Sequence, residues 1–406
     1  MKILMLGWEL PPHNSGGLGV ACLNMARSLA REGANIDFVV PYTADHPDIN
    51  FMRILSATPL DPIYRYGGGA YSSKMIFEKN IPANNGETMS IRDVQKTYCD
   101  FINKYLMEFK PDLVHAHDWL TYEAGILAKK HYNIPLIAHV HATEFDRAGM
   151  KSGNPLIHEI EYEGLMVADK IIAVSELTKR IINEKYHIPL EKIDVIYNSL
   201  DEDYEKSNYN FDKNLYKYLT YLKNKGYTII STVGRFTIQK GLRNLMYAAA
   251  EALSRDDKLI FVFAGDGEEK DELISLSADL GIAKNIVFTG FIRGKKLRDI
   301  YSISDIFIMS SISEPFGLTA LEAAHHGDAL ILTKQSGVSE IIWSAMTYDF
   351  WDQEKLANEI LAVANNPVLK ESLQTNVKNE YKKVSWNQVA KKCLGLYNQT
   401  IKHKRN

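Results

Sequence analysis

Ile306-Phe307-Ile308-Met309 runs through Ser310-Ser311-Ile312-Ser313 into Glu314-Pro315-Phe316-Gly317-Leu318-Thr319-Ala320-Leu321-Glu322. Four consecutive apolar residues suit a strand buried on both faces, and Pro315 with Gly317 marks a turn. The stretch from Leu318 then takes up helical spacing. A strand, a short polar turn and a helix make half of a βαβ unit, the repeating element of parallel sheets.

The same unit recurs along the chain. Upstream and downstream of it, strands are expected at Thr228–Gly234, Leu259–Gly265, Asn285–Thr289 and Ala329–Thr333. A separate series occupies the first half: Lys2–Leu6, Ile36–Pro41, Leu113–His115, Leu136–His141, Lys170–Val174 and Asp194–Tyr197. Helical patterns lie between them at Val20–Glu32, Val94–Phe109 and Glu123–His131. The stretch Ala44–Glu87, with its glycine triplet and prolines, breaks the rhythm and is expected to be an insertion or mobile loop. A polar linker with some helix is expected over Asp201–Gly226. The chain of 406 residues is therefore expected to form two Rossmann-like α/β domains, over 1–205 and 206–384. A terminal helix over 385–406 is expected to pack back on the first. Two such domains facing across a cleft would offer the carboxyl ends of their strands to a ligand.

Composition narrows the function. A net charge of −3, from 47 basic and 50 acidic side chains, gives no field to gather nucleic acid. No window approaches the roughly 18 apolar residues of a membrane span. Three scattered cysteines, Cys22, Cys99 and Cys393, suit a reduced compartment, and a cytoplasmic location is expected.

After the first strand, Asn14-Ser15-Gly16-Gly17-Leu18-Gly19-Val20 leads into a helix. Small residues and a helix amino terminus suit a phosphate cradle, and equally suit a plain tight turn. A nicotinamide-cofactor fingerprint is not met. Cys22 stands where the third glycine belongs, and Asp37 sits inside a strand instead of at its end.

In the second half, Glu314 lies where a carboxylate can accept hydrogen bonds from sugar hydroxyls. Phe316 leads into the amides of Gly317, Leu318 and Thr319 at the helix start, placed for phosphate oxygens. Glu322 lies a turn further in, at ribose distance. The plainer alternative is a capped helix carrying two exposed carboxylates. Val233-Gly234-Arg235-Phe236-Thr237-Ile238-Gln239-Lys240-Gly241 also follows a strand. There Arg235 and Lys240 can neutralise a diphosphate, or simply be solvated.

Arg235-x4-Lys240-Gly241, Glu314-x7-Glu322, Gly16-Gly17 and His139-Val140-His141-Ala142-Thr143-Glu144 together resemble the motifs of glycosyltransferase family 4, in the same order. This resemblance implies the GT-B fold and a retaining hexosyltransferase that needs no metal or other cofactor. It implies that Glu314 holds the sugar hydroxyls of a nucleoside-diphosphate sugar and Glu322 the ribose. Arg235 and Lys240 would stabilise the departing diphosphate, Gly16 and Gly17 would line the donor loop, and His141 would place the donor sugar. A satisfied core histidine is the alternative for His141. Asp201-Glu202-Asp203 has the spacing of a metal-binding Asp-x-Asp but lies in the polar linker, so no metal site is assigned there.

Val114-His115-Ala116-His117-Asp118-Trp119 is similar to a stretch of glycogen and starch synthases, which implies UDP- or ADP-glucose as donor and an α-glucan acceptor. Asp118 is then a sugar or acceptor contact, or alternatively the amino-terminal cap of a helix from Trp119. Those synthases carry a lysine where this chain has Ser15. A lipid, cell-surface polysaccharide or small-sugar acceptor therefore stays open, as do a nucleotide-sugar 2-epimerase and a non-catalytic nucleotide-sugar sensor.

Overall fold

The computed structural model describes residues 1–13, 16–58, 81–82, 88–201, 204, 209, 211–212 and 216–405. Ser15, Glu202, Asp203 and most of the stretch between Pro59 and Glu87 lie outside them. The chain divides into two compact units, Met1–Asp201 with Val384–Asn406, and Glu202–Lys383.

The first unit is built on a seven-stranded sheet in the order β3-β2-β1-β6-β7-β8-β9. Its strands are β1 (Lys2–Leu6), β2 (Asn35–Val40), β3 (Arg53–Ser56), β6 (Leu113–His117), β7 (Leu136–Val140), β8 (Lys170–Ala173) and β9 (Ile193–Val195). All neighbours pair in parallel. Every residue of β6 and of β7 is buried, as expected of parallel strands covered by helices on both faces. A separate antiparallel pair joins β4 (Ile81–Pro82) to β5 (Thr88–Met89). The helix Ile91–Glu108 starts on a capping box in which Ser90 and Asp93 satisfy each other's backbone amides.

The terminal helix, Trp386–Arg405, packs against the helix Gly17–Arg31. It places Trp386, Val389, Cys393 and Tyr397 in the core of this first unit.

The second unit carries six parallel strands: β10 (Thr228–Val233), β11 (Leu259–Ala264), β12 (Ile286–Gly290), β13 (Ile306–Met309), β14 (Ala329–Thr333) and β15 (Met346–Tyr348). Their order is β12-β11-β10-β13-β14-β15, which read along the unit is the doubly wound 3-2-1-4-5-6. The strand order reverses beside β10 here and beside β1 in the first unit. At such a switch point neighbouring loops diverge and leave room for a ligand.

Two expectations are corrected. The stretch taken as an insertion contains β3, which continues the sheet next to β2 and is fastened by the Arg53–Asp37 ion pair. The second sheet also gains β15 beyond the five strands expected. Both are short edge strands, whose polar and partly exposed residues carry little apolar signal. Among the described residues no helix is long and apolar enough to cross a membrane.

One buried charge gives a stability prediction. Glu359, on the helix Gln353–Asn365, is 7% exposed, with Lys355 Nζ at 3.8 Å and Oε2 lacking a hydrogen-bond partner. Burial pushes its carboxyl up to about 7. A folded-state value above the unfolded one means that ionisation opposes folding, increasingly as pH rises through 7. Glu359→Gln is expected to stabilise the chain by about 1 kcal/mol at pH 8 and by almost nothing at pH 4.5. Urea unfolding at the two pH values measures this; equal effects at both would refute it.

Candidate active site

In the second unit the site grows from the loops after β10 and β13, the strands that flank the switch point. Gly241 makes their approach workable. It adopts φ 60°, and a Cβ on it would lie 2.3 Å from the Ser310 carbonyl oxygen. Only glycine tolerates both the left-handed backbone and that contact. Gly241→Ala is therefore expected to cost at least about 2 kcal/mol, read by urea unfolding; a loss under half of that would show that the loop can relax.

Once together, the loops are tied by Ile312 N–H to the Gln239 carbonyl (2.8 Å), Ser310 Oγ to the Lys240 carbonyl (2.8 Å) and Gln239 Nε2 to the Ser313 carbonyl (3.0 Å). Their product is an ion pair between residues far apart in sequence. Lys240 Nζ lies 2.6 Å from Glu314 Oε2, and Ser311 Oγ donates to the same oxygen at 2.8 Å. The backbone of Glu314 is held on both sides, by Gln335 O and by Gly337 N–H. The pair borders a pocket whose walls include Thr232, Gly234, Phe236, Met309 and Thr319.

Phe316 is buried, and Gly317 turns the chain at φ 109° into the helix Leu318–His326. Among the described residues no side chain caps this helix, so its first amides are left to other acceptors. Further along, Glu322 Oε2 accepts from the buried Tyr301 hydroxyl at 2.8 Å. Arg235 is half-buried on the β10 loop. The structure thus brings Lys240 and Glu314 into direct contact, with Arg235 on the loop of Lys240 and Glu322 on the helix that follows Glu314.

In the first unit, Gly16 precedes the helix Gly17–Arg31, and its N–H donates to Glu9 Oε2 at 3.2 Å. Glu9 is 2% exposed; sequence reading missed it, because a lone glutamate in a turn carries no pattern. Gly17 is exposed, with open space where a Cβ would stand.

Asp118 does not cap the helix Trp119–Tyr132, which corrects that alternative. The chain turns at Asp118 with φ 57°. This directs the carboxylate across to β7, where Oδ1 accepts from the amides of His141 (2.7 Å) and Ala142 (3.4 Å). Asp118 is fully buried, and burial pushes its carboxyl up to about 7. His141 Nε2 meets His117 Nδ1 at 3.0 Å, and burial holds the His141 imidazole down to about 3. At neutral pH His141 is uncharged, able to orient a ligand through hydrogen bonds but not through positive charge.

Beyond His141 the chain is held by a buried ionic network that sequence reading also missed. Arg147 donates to Glu144 (3.0 Å), to the Ala142 carbonyl (3.0 Å) and to Glu161. The Ala142 residue is thus fastened at its N–H by Asp118 and at its carbonyl by Arg147.

Two doubly wound parallel sheets, each with polar residues at its switch point, define an α/β chain of the GT-B fold. The family comparisons agree. A sequence model described as Glycosyltransferase Family 4 matches residues 15–204, and one described as Glycosyl transferases group 1 matches residues 220–383. The chain belongs to these glycosyltransferases. An uncharacterized glycosyltransferase of Methanocaldococcus jannaschii is 28% identical, over 98% of both chains. A glycogen synthase of Mycobacterium tuberculosis is 25% identical over 86% of this chain and 81% of its own. The crystal structure of Anabaena HepE in complex with UDP-glucose shares the fold, with a TM-score of 0.70 at 18% identity, covering 97% of this chain and 99% of that one.

Proposed function

We propose that this glycosyltransferase is a retaining hexosyltransferase that takes glucose from UDP- or ADP-glucose and extends an α-glucan. The observation that carries the reading is the Lys240–Glu314 pair at the switch point of the second unit. Lys240 and Ser311 both bond Glu314 Oε2, and among the described residues no hydrogen bond is made to Oε1, which accepts from the donor's sugar hydroxyls in this reading. Lys240, with Arg235 on the same loop, offers positive charge to the diphosphate as the glycosidic bond breaks and negative charge builds on the leaving oxygen. In this reading the two cations do the work of a divalent ion, and the transfer needs no metal. The uncapped amides at Gly317–Thr319 receive phosphate oxygens, and Glu322 the ribose. In the first unit His141 orients the sugar as a neutral imidazole, Gly16 and Gly17 line the donor loop, and Asp118 acts through the His141 and Ala142 amides. UDP-glucose as donor is supported by its presence in the HepE structure, and the α-glucan by the similarity to a glycogen synthase.

Purified protein with UDP-glucose or ADP-glucose, with and without glycogen, tests this through nucleoside diphosphate release and α-glucan growth. Glycogen-dependent release is expected. Release that ignores glycogen would move the acceptor to a lipid or small sugar. No release, with isomerised donor recovered, would replace the reading by an epimerase.

A further inference from the structure

Four histidines crowd one face of the first sheet. His115 and His117 on β6, and His139 and His141 on and just after β7, alternate with apolar residues. The pairing His117↔His139 therefore turns all four side chains the same way. Their rings stack as His115 on His117, with centroids 4.2 Å apart, and His139 on His141, at 4.1 Å.

Hydrogen bonds cross between the strands. His115 Nε2 meets His139 Nδ1 at 3.1 Å, His117 Nδ1 meets His141 Nε2 at 3.0 Å, and Tyr397 OH reaches His115 Nδ1 at 2.7 Å. A neutral imidazole offers one N–H and one lone pair. Whichever way the shared protons point, two buried atoms are left over: among the described residues His117 Nε2 and His139 Nε2 have no partner. Among the described residues Asp118 Oδ2 is also buried and unpartnered.

Each such atom costs about 1–3 kcal/mol in a folded interior, and apolar side chains would fill the same space without that loss. A buried thiol completes the picture. One ligand atom each from Cys22, His117 and His141 lies within 4.8 Å of the others. Donors around a tetrahedral zinc ion stand about 3.4–3.6 Å apart, given bonds near 2.1 Å to nitrogen and 2.3 Å to sulfur, so small side-chain rotations close the set.

We propose that Cys22, His117 and His141 bind one divalent cation of the zinc class. Thiolate and imidazole together select a borderline ion over magnesium or calcium. On binding, the sulfur–metal bond replaces the Cys22 S–H bond and that proton leaves to solvent, while each imidazole ligates through a lone pair and keeps its single N–H, so the His117–His141 hydrogen bond is given up for the two nitrogen–metal bonds.

The test uses the full chain stripped of metal with a chelator and titrated with Zn²⁺ or Co²⁺. One equivalent bound is expected by native mass spectrometry, with a thiolate-to-cobalt charge-transfer band in the Co²⁺ protein. Cys22→Ala should abolish the band and weaken binding more than about tenfold, whereas Cys393→Ala, at the other buried cysteine, keeps both. No stoichiometric ion, or binding that survives Cys22→Ala undiminished, overturns the site. Should Cys22→Ala fail to fold, the Co²⁺ spectrum of the unaltered chain decides, since cobalt bound without a thiolate band also overturns it. The two readings share His141, but none of these measurements uses sugar transfer, so failure of the metal site is distinguishable from failure of the function proposed above.

Discussion

Lys240→Ala is expected to lower kcat/KM for sugar transfer by about 10²–10³-fold, the range seen when one group aimed at developing charge is removed. The loss should fall mainly on kcat, because on the proposed reading the charge that Lys240 meets is greater in the transition state than in the bound donor. The geometry adds a second consequence. Glu314 is 8% exposed and has Lys240 at 2.6 Å; without that ammonium its carboxylate keeps, among the described residues, only the Ser311 hydroxyl as a side-chain partner. On the proposed reading, the variant therefore damages the sugar contact as well as the diphosphate contact. Glu314→Gln should show a loss of similar size, and the double variant should be little worse than the poorer single one, because groups that act as a unit do not contribute additively. Steady-state nucleoside diphosphate release on the three variants measures this. Independent losses that multiply in the double variant would mean that the contact between the two side chains has no part in catalysis. A Lys240→Ala enzyme with a third of normal activity would remove Lys240 from the site altogether.

Much of this pair was legible in the sequence, but its contact was not. Arg235-x4-Lys240-Gly241 and Glu314-x7-Glu322 can each be read on a loop after an apolar strand. What the sequence does not display is that the two loops are neighbours: Lys240 and Glu314 are 74 positions apart, and adjacency comes from β10 pairing with β13 in the sheet order. The strands themselves were readable because parallel strands buried on both faces leave unbroken apolar runs, as in Leu259–Ala264. The edge strands β3 and β15 were not, since three or four residues, most of them partly exposed, generate no run. Asp118 shows a different failure. Its position before Trp119 is that of a helix cap, and only the positive φ reveals that its carboxylate turns to β7. The four histidines could have been seen as a group. Two His-x-His pairs, each ending or just following an apolar strand, must face one side whenever those strands pair in register.

Arg147 carries the largest expected effect on stability. Its side chain is 1% exposed, as is that of Glu144, and that of Glu161 is 4% exposed. Burial alone works against the Arg147 charge, yet Glu161 and Glu144 hold its guanidinium far above the usual range. An arginine so placed is difficult to replace piecemeal, because removing it strands two carboxylates in the interior. Breaking a buried pair from one side typically costs about 3–5 kcal/mol, and Arg147→Met, which keeps most of the apolar stem, is expected to lose that much at pH 8. The sign of its pH dependence follows from the partners. Burial already raises the Glu161 carboxyl, and without the arginine it rises further above its unfolded value. The penalty is then full at high pH and relieved as pH falls and Glu161 takes up a proton. The deficit relative to the unaltered chain should shrink by at least about 1 kcal/mol between pH 8 and pH 5. Tryptophan fluorescence in urea reports it cleanly: Trp8, Trp119 and Trp386 are buried in the first unit, while Trp343 and Trp351 are exposed in the second. Combining Arg147→Met with Glu144→Gln and Glu161→Gln should recover part of the loss, since neutral amides are far less costly to bury than unpaired charges. A deficit below about 1 kcal/mol at pH 8, or one that does not change with pH, would mean that water reaches these carboxylates and that the residue after His141 is not held by charge.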